Sequence, residues 1–215
     1  MIKKILTIVF LLMLALPVAA KDVLPKYSTG LYKTTFGVYQ MPKLIMLYKE
    51  PDENAKVEIT ISWTETALMP ETLSVNDVFT VFIPNKALAF MEVSDETEDW
   101  VKVIYDRKNN KSGWFKKDDP YKFLTWVNFY NTYGRKYGLY ELVQEMPKVE
   151  LDLHSAPDDD SQVVARLNHP EFIKLNVIRG NYALVSVVDL DRRPKTGYIR
   201  WRGDDGTKYL FPAVK

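Results

Sequence analysis

One unit occurs twice in this 215-residue chain, in the same order, and a repeat constrains a fold more tightly than any composition does. "LIMLYKEPDENAKV" (44–57) aligns with "ELDLHSAPDDDSQV" (150–163). Leu47 falls on Leu153, Pro51 on Pro157, Asp52 on Asp158 and Val57 on Val163, all 106 positions apart. "DWVKVIYDRKNNKSGWF" (99–115) aligns with "LVSVVDLDRRPKTGYI" (184–199) at a spacing of 84. That alignment puts Val101 and Val103 on Val185 and Val187, Gly113 on Gly197, Trp114 on Tyr198 and Phe115 on Ile199. It also sets Met91 and Val93 on Leu175 and Val177, and "MPK" precedes both copies (41–43 and 146–148). The difference in spacing gives the first copy about 22 extra residues between Val57 and Ala89, with strand-like runs at Glu58–Trp63 and Val78–Ile83.

Each copy reads as β-structure. "LDL", "IKLNV" and "ALVSV" alternate apolar and polar residues, which sends alternate side chains to opposite faces of a sheet. "PDDD" makes a loop, and "DRKNNKSG" and "DLDRRPKTG" are hairpin turns ending in glycine before the returning strand. "DDGTK" (204–208) is a further turn. The segment between copies has a different period. Phe123, Val127 and Tyr130 lie at helical spacing, as do Trp126, Phe129 and Tyr133. With Asp118 or Asp119 as cap, Pro120 in the first turn and Gly134 as terminator, the pattern predicts a helix over 120–133. Its rings cover more than half the circumference. They fit either a core shared by the two copies or an exposed docking face.

The N-terminus carries the three parts of a secretory signal: basic "MIKK", the apolar run Ile5–Leu16, and "PVAA" with small residues at Val18 and Ala20. The apolar run is too short for a membrane span, which needs about 18 residues or more. Cleavage before Lys21 is expected, leaving no stable membrane anchor and an exported, periplasmic or extracellular chain. Loss of Lys3 and Lys4 moves the formal charge from +1 to −1, with no basic bias of the kind that binds nucleic acid. The chain has no cysteine, which excludes disulfides, thiol nucleophiles and a lipidated cysteine anchor.

The frame "LxLxxxP", polar loop, "WVKV", turn and "GWF" resembles bacterial SH3 domains, small barrels of exported and cell-wall proteins in which a "WxxV" strand precedes a "GW" strand. "DWVKV" (99–103) and "GWF" (113–115) match in the first copy; "ALVSV" (183–187) and "GYI" (197–199) keep the frame in the second. The resemblance covers about 40–118 and 147–213. It implies an all-β protein: two small SH3-like β-barrels joined by a short aromatic-rich helix. The expected organisation is a signal peptide (1–20), a lead segment (21–39), barrel 1 (40–118, with an insert near 58–88), a helical linker (119–146) and barrel 2 (147–215). It also implies a binding module for cell-wall peptides or an envelope protein, with no length left for an attached hydrolase.

A catalytic constellation is not evident, so no enzyme activity and no cofactor are expected. His154 and His169 are the two histidines. The first aligns with Tyr48, which suits a groove rim better than a base, and the second sits in a loop. "PDDDSQ" (157–162) and "DETED" (95–99) are acidic runs without the alternating ligands and glycine of a calcium loop, so no metal site is expected. By the resemblance, the groove of barrel 1 would use Tyr48, Asp52, Glu53, Asp99, Trp100 and Tyr105. That of barrel 2 would use His154, Asp158, Asp159, Asp160, Tyr182 and Trp201. Acids beside aromatics favour a ligand with a basic group. Within the first hairpin, Val101, Val103 and Tyr105 should face the core, Trp114 should be framework, and Trp100 should line the groove. The alternative role is a structural subunit of an envelope complex that docks through the aromatic helix.

Overall fold

The computed structural model describes residues 21–143, 151–167, 170, 172–188 and 192–215. The signal-like segment, the second "MPK" and His169 lie outside these residues. The chain is mostly β, in two antiparallel sheets. The first half supplies β1 (Gly37–Gln40), β2 (Leu44–Tyr48), β3 (Val57–Trp63), β4 (Leu68–Met69), the short helix α1 (Val75–Val78), β5 (Val81–Ile83), β6 (Leu88–Glu96), β7 (Trp100–Asp106), β8 (Lys111–Lys116) and β9 (Phe123–Thr125). A helical segment follows: α2 (Trp126–Phe129), a π-helical stretch (Tyr130–Gly134) and α3 (Arg135–Tyr137). The second half supplies β10 (Leu139–Glu141), β11 (Leu151–His154), β12 (Val163–Leu167), β13 (Phe172–Arg179), β14 (Tyr182–Val188), β15 (Pro194–Arg200) and β16 (Leu210–Pro212).

The sheet orders are β4-β3-β2-β8-β7-β6-β1-β9, with β5 on β6, and β12-β11-β15-β14-β13-β10-β16. Seven strands correspond one to one: β3, β2, β8, β7, β6, β1 and β9 match β12, β11, β15, β14, β13, β10 and β16. The repeat therefore includes an extra strand at each end, one from the lead segment or linker and one after the "GW" strand. Neither ladder closes on itself among the described residues, so both sheets are open. What the first copy adds is β4, α1 and β5. Glu58–Trp63 is not part of the insertion, because β3 has its counterpart in β12.

The ladders fix the alignment of the copies more finely than side-chain identity does. Leu47 pairs with Ile59 and, past a bulge, Tyr48 with Val57; Leu153 pairs with Ala165 and, past a bulge, His154 with Val163. This confirms the spacing of 106. In the hairpin, Val103 faces Gly113, but the residue facing Gly197 is Val185, not Val187. Val93 faces Val103 and Leu175 faces Val185, each followed by a bulge at the same place. The spacing for β6 and β7 is therefore 82, while for β8 it remains 84. Val103 corresponds to Val185, and Trp100 corresponds to Tyr182 rather than to Leu184. The error is a slip of two residues, which preserves the in-and-out alternation and so leaves no trace in the hydropathy pattern. Its cause is the turn before β15, two residues longer than the one before β8. The insertion becomes 106 − 82 = 24 residues.

The sheets bury their inner faces in two clusters. One lies under the first sheet and includes Ile45, Leu47, Ile61, Met91, Val93, Val101, Val103, Tyr105 and Phe115. The other joins Leu153, Leu175, Val185 and Ile199 of the second sheet to Val38, Val81, Ile83 and Phe90 of the first, through Trp126, Phe129 and Tyr130 of the helix. The helix begins at Trp126, six residues later than expected. Phe123–Thr125 pair with β1 instead, and the Thr125 hydroxyl accepts a hydrogen bond from the Asn128 amide as the N-cap. It ends at Gly138, whose φ of 83° is the left-handed stop. Gly134 has another purpose: a Cβ there would come within 2.9 Å of Leu139 and 3.0 Å of Leu175. Trp126, Phe129 and Tyr130 are fully enclosed, which leaves these rings nothing to dock with.

The lead segment straps both halves together. Val23 forms a β-bridge with Phe82, Tyr27 bridges to Val143, and Tyr140 Oη donates to Pro25 O at 2.5 Å. Beneath it lies a buried polar cluster. Glu92 accepts from the Tyr32 amide (3.1 Å), the Thr35 hydroxyl (2.8 Å), the Thr80 hydroxyl (3.4 Å) and Arg107 Nε (3.2 Å). Arg107 spends its remaining donors on Glu92, Thr80 and the carbonyls of Asn76 and Phe79. Lys208, 1% exposed, donates to Tyr32 O at 2.5 Å and stands 4.6 Å from the centroid of the Trp126 ring.

Candidate binding surfaces on the two sheets

The ladder correspondence brings out a constellation that occurs twice. In the first copy β2 ends in Tyr48, whose ring meets Trp100 edge-on at 5.5 Å between centroids. The loop after β2 sends Glu53 to an ion pair with Lys116 at the end of β8, the ladder partner of Trp100. In the second copy β11 ends in His154, whose ring meets Tyr182 edge-on at 6.1 Å. The loop after β11 sends Asp159 to an ion pair with Arg200 at the end of β15, the ladder partner of Tyr182. A third aromatic, Trp114 or Tyr198, pairs with Tyr48 or His154 across the ladder. Every one of these five side chains differs between copies, yet each keeps its class and its place.

Geometry makes the arrangement possible. Gly113 and Gly197 precede the third aromatic, and a Cβ at either would sit 2.9 Å from the Cβ of Leu47 or Leu153. The missing side chain lets the first strand of each unit lie close against the "GW" strand and brings its terminal aromatic alongside. In the second copy the cluster is tightly bonded. Tyr182 Oη donates to Asp159, and that bond, with Arg200 beside it, holds the Asp159 carboxyl below the usual carboxylate range. Burial, followed by the same bond, pushes the Tyr182 hydroxyl up. The Arg200 guanidinium lies 5.2 Å from the Tyr182 ring centroid. His154 Nδ1 is 3.3 Å from Ser161 O.

The expected groove residues therefore divide. Tyr48, Glu53 and Trp100 come together, as do His154, Asp159 and Tyr182. Asp52 caps its own turn through the Asn54 amide (2.9 Å), and Asp99 is exposed in the β6–β7 turn, its carbonyl accepting from Lys117. Asp158 uses its carbonyl to accept the Ser161 hydroxyl, and Asp160 is exposed. Tyr105 belongs to the inner face, where its hydroxyl donates to Glu58 at 3.1 Å; it lines no groove because it shares strand parity with Val101 and Val103. Trp201 is fully buried against Tyr130, ring centroids 4.3 Å apart, with Nε1 donating to Gly180 O. It follows β15 and turns into the inter-sheet core. Phe115, opposite Val101, belongs to the inner cluster, and Trp114 lies on the outer face with Trp100 and Lys102; both indoles are nonetheless buried, at 9% and 8% exposure, so Trp100 does not line an open groove.

Lys116 and Arg200 were missed in the sequence. Their signal is visible in retrospect as the basic residue closing "GWFK" and "GYIR" at the spacing of 84. A cleft of about 270 Å³ between the lead segment and α1 reaches Arg107, whose guanidinium is engaged by Glu92, Thr80 and the carbonyls of Asn76 and Phe79, and Lys26, whose ammonium stands 5.3 Å from the Tyr27 ring centroid. Among the described residues no cluster of acids and histidines could hold a metal ion, and no helix is long and apolar enough to cross a membrane. Comparison of the chain with protein-family models and with curated proteins finds no match.

Proposed function

We propose that the protein is an exported, non-enzymatic binding module of tandem SH3-like type, which recognises peptides of the cell wall through the paired surfaces on its two sheets. The observation that carries this reading is the recurrence, in both copies, of two edge-on aromatics beside a loop carboxylate and a strand-end cation. A fold alone does not require this set. The inner-face residues keep the sheets together, while the outer-face set keeps its chemistry: Trp100 and Tyr182 are buried, the half-buried rings of Tyr48 and His154 remain for contact, and one acid–base pair offers polar recognition. The position beside the loop after the first strand is where SH3-type barrels form their peptide groove.

Co-sedimentation of the Lys21–Lys215 chain with purified peptidoglycan sacculi tests the reading. Binding that weakens when Trp100→Ala and Tyr182→Ala are combined supports it. A chain that stays in the supernatant at every protein concentration sinks it; capture of a defined envelope protein instead would move the ligand from wall to protein.

A further inference from the structure

Four methionines lie among the described residues, and they divide sharply by access. Met41 and Met91 are fully buried in the inner cluster of the first sheet. Met46 on β2 and Met69 on β4 have relative exposures of 39% and 48%. With Leu44 they make an apolar strip on the outer face, where Leu44 and Met69 both pair with Ser62. The chain has no cysteine, so these thioethers are the softest sulfur nucleophiles it presents to solvent.

Met46 has surroundings that suit an added oxygen. Residues two apart on a strand share a face, and the Tyr48 hydroxyl donates to the Met46 sulfur at 3.1 Å. A thioether is a weak acceptor. A sulfoxide oxygen at the same place would be a stronger one, within reach of the same hydroxyl and of solvent. The second copy shows that the frame accepts oxygen here. Asp152 takes the place of Met46 at the spacing of 106, and it bonds Arg166 (2.9 and 3.1 Å) where Met46 faces Thr60. The next residue along each strand, Leu47 or Leu153, stays fully buried in both copies. An apolar side chain at position 46 is therefore not a demand of folding.

We infer that Met46 is an oxidation site, at which a peroxide converts the thioether to a sulfoxide and makes the apolar strip of the first sheet polar without unfolding it. The sulfur lone pair attacks one peroxide oxygen. The S–O bond forms as the O–O bond breaks, and the departing oxygen keeps one hydrogen, takes the proton left by the transferred oxygen, and leaves as water. The sulfur loses two electrons and the peroxide gains them. A dithiol-dependent sulfoxide reductase reverses the step, releasing the oxygen as water and forming its own disulfide. The product brings the outer face of the first sheet toward that of the second, which is already polar at the equivalent position. The inference concerns the chemical state of this face and holds whatever the face binds.

The test treats the Lys21–Lys215 chain with hydrogen peroxide, then digests it with trypsin, which puts the four methionines on separate peptides for mass spectrometry. Met46 and Met69 should gain one oxygen each while Met41 and Met91 stay unmodified, and urea should abolish the difference. A Met69→Leu, Met146→Leu chain then isolates Met46. Its oxidised form should keep its circular dichroism spectrum and shift Tm by less than about 2 °C, as a surface change does. It should also elute earlier from a hydrophobic-interaction column. Sulfoxide reductases of both epimer specificities should restore mass and retention together. Met46→Gln should elute early without peroxide and gain nothing from it. Met46 as resistant as Met41 in the folded chain, a larger fall in Tm, or retention unchanged by the added oxygen would each overturn the inference. None of these outcomes bears on sacculus binding, which stands or falls by its own experiment.

Discussion

At the scale of single residues the most consequential feature is one the candidate surfaces do not use. Glu92 is fully buried and Arg107 mostly so; together they satisfy donors from the lead segment and Thr80 and the carbonyls of Asn76 and Phe79 in the α1 turn. Removing one partner strands a charge away from water, which typically costs about 3–5 kcal/mol. Arg107→Met should lower the unfolding free energy measured by urea denaturation by that amount, and Glu92→Gln, which keeps the shape but not the charge, should also destabilise. A loss under about 1 kcal/mol for Arg107→Met would show the pair to be dispensable. Lys208 makes the same cluster responsive to pH. Burial, opposed in part by Glu92, pushes its ammonium down to about 8. Between pH 8 and about 10.4 the folded state has shed this proton and the unfolded state still holds it, so stability should rise with pH across that window, by about 3 kcal/mol in all. Above pH 10 the sign reverses. Tyr105 is pushed up to about 12 by burial and by Glu58, so the unfolded chain ionises first and stability falls. Denaturation midpoints from pH 7.5 to 11.5 should therefore pass through a maximum near pH 10, and Lys208→Met should remove the rise while keeping the fall. A flat profile between pH 8 and 10 in the unaltered protein would contradict the assignment.

At the scale of elements, the helix depends on its cap and its rings. Thr125 satisfies one of the free amides at its start, and Thr125→Ala should cost about 1 kcal/mol. For a chain of this size that is a fall of roughly 2–4 °C in Tm. Thr125→Ser should keep most of the stability; equal losses for both variants would mean that the methyl group, not the hydroxyl, matters. The same element shows what the sequence could convey. Its aromatic period placed Phe129 and Tyr130 in a helix because such periodicity reports burial directly. It could not place the start, since Phe123–Thr125 suit either a helix or the β9 pairing and only the presence of β1 decides. Strand faces were legible for the same reason, and Val101, Val103 and Tyr105 fall on the inner face as their alternation says. The two-residue slip in β6 and β7 was not legible, because a shift of one full pleat changes no face. Trp201 was misread because burial by a helix from another part of the chain leaves no local mark. The Glu92, Arg107 and Lys208 cluster, drawn from three distant segments, follows no period at all.

At the scale of the whole molecule, the repeat suggests two independent modules, but the packing says otherwise. Val38, Val81, Ile83 and Phe90 of the first sheet share a core with Leu153, Val185 and Phe211 of the second, and Trp126 and Phe129 lie in the same cluster. The lead segment then crosses both halves: Lys33 pairs with Asp205, and Lys208 reaches the Tyr32 carbonyl. Separating the halves would expose these rings and leave Lys208 without its acceptors. Each buried Phe or Leu contributes about 1.5–3 kcal/mol, and several would be uncovered together, so a single half should lack the core to stand alone. Calorimetry of the Lys21–Lys215 chain should therefore show one transition, with the van't Hoff enthalpy equal to the calorimetric enthalpy. Deleting residues 21–36 should lower its midpoint without splitting it, because the helix still joins the two sheets. Two resolved transitions in the intact chain would mean that the shared core is too weak to couple them. In that case the two candidate surfaces would be carried by sheets free to move apart, rather than held at one fixed spacing.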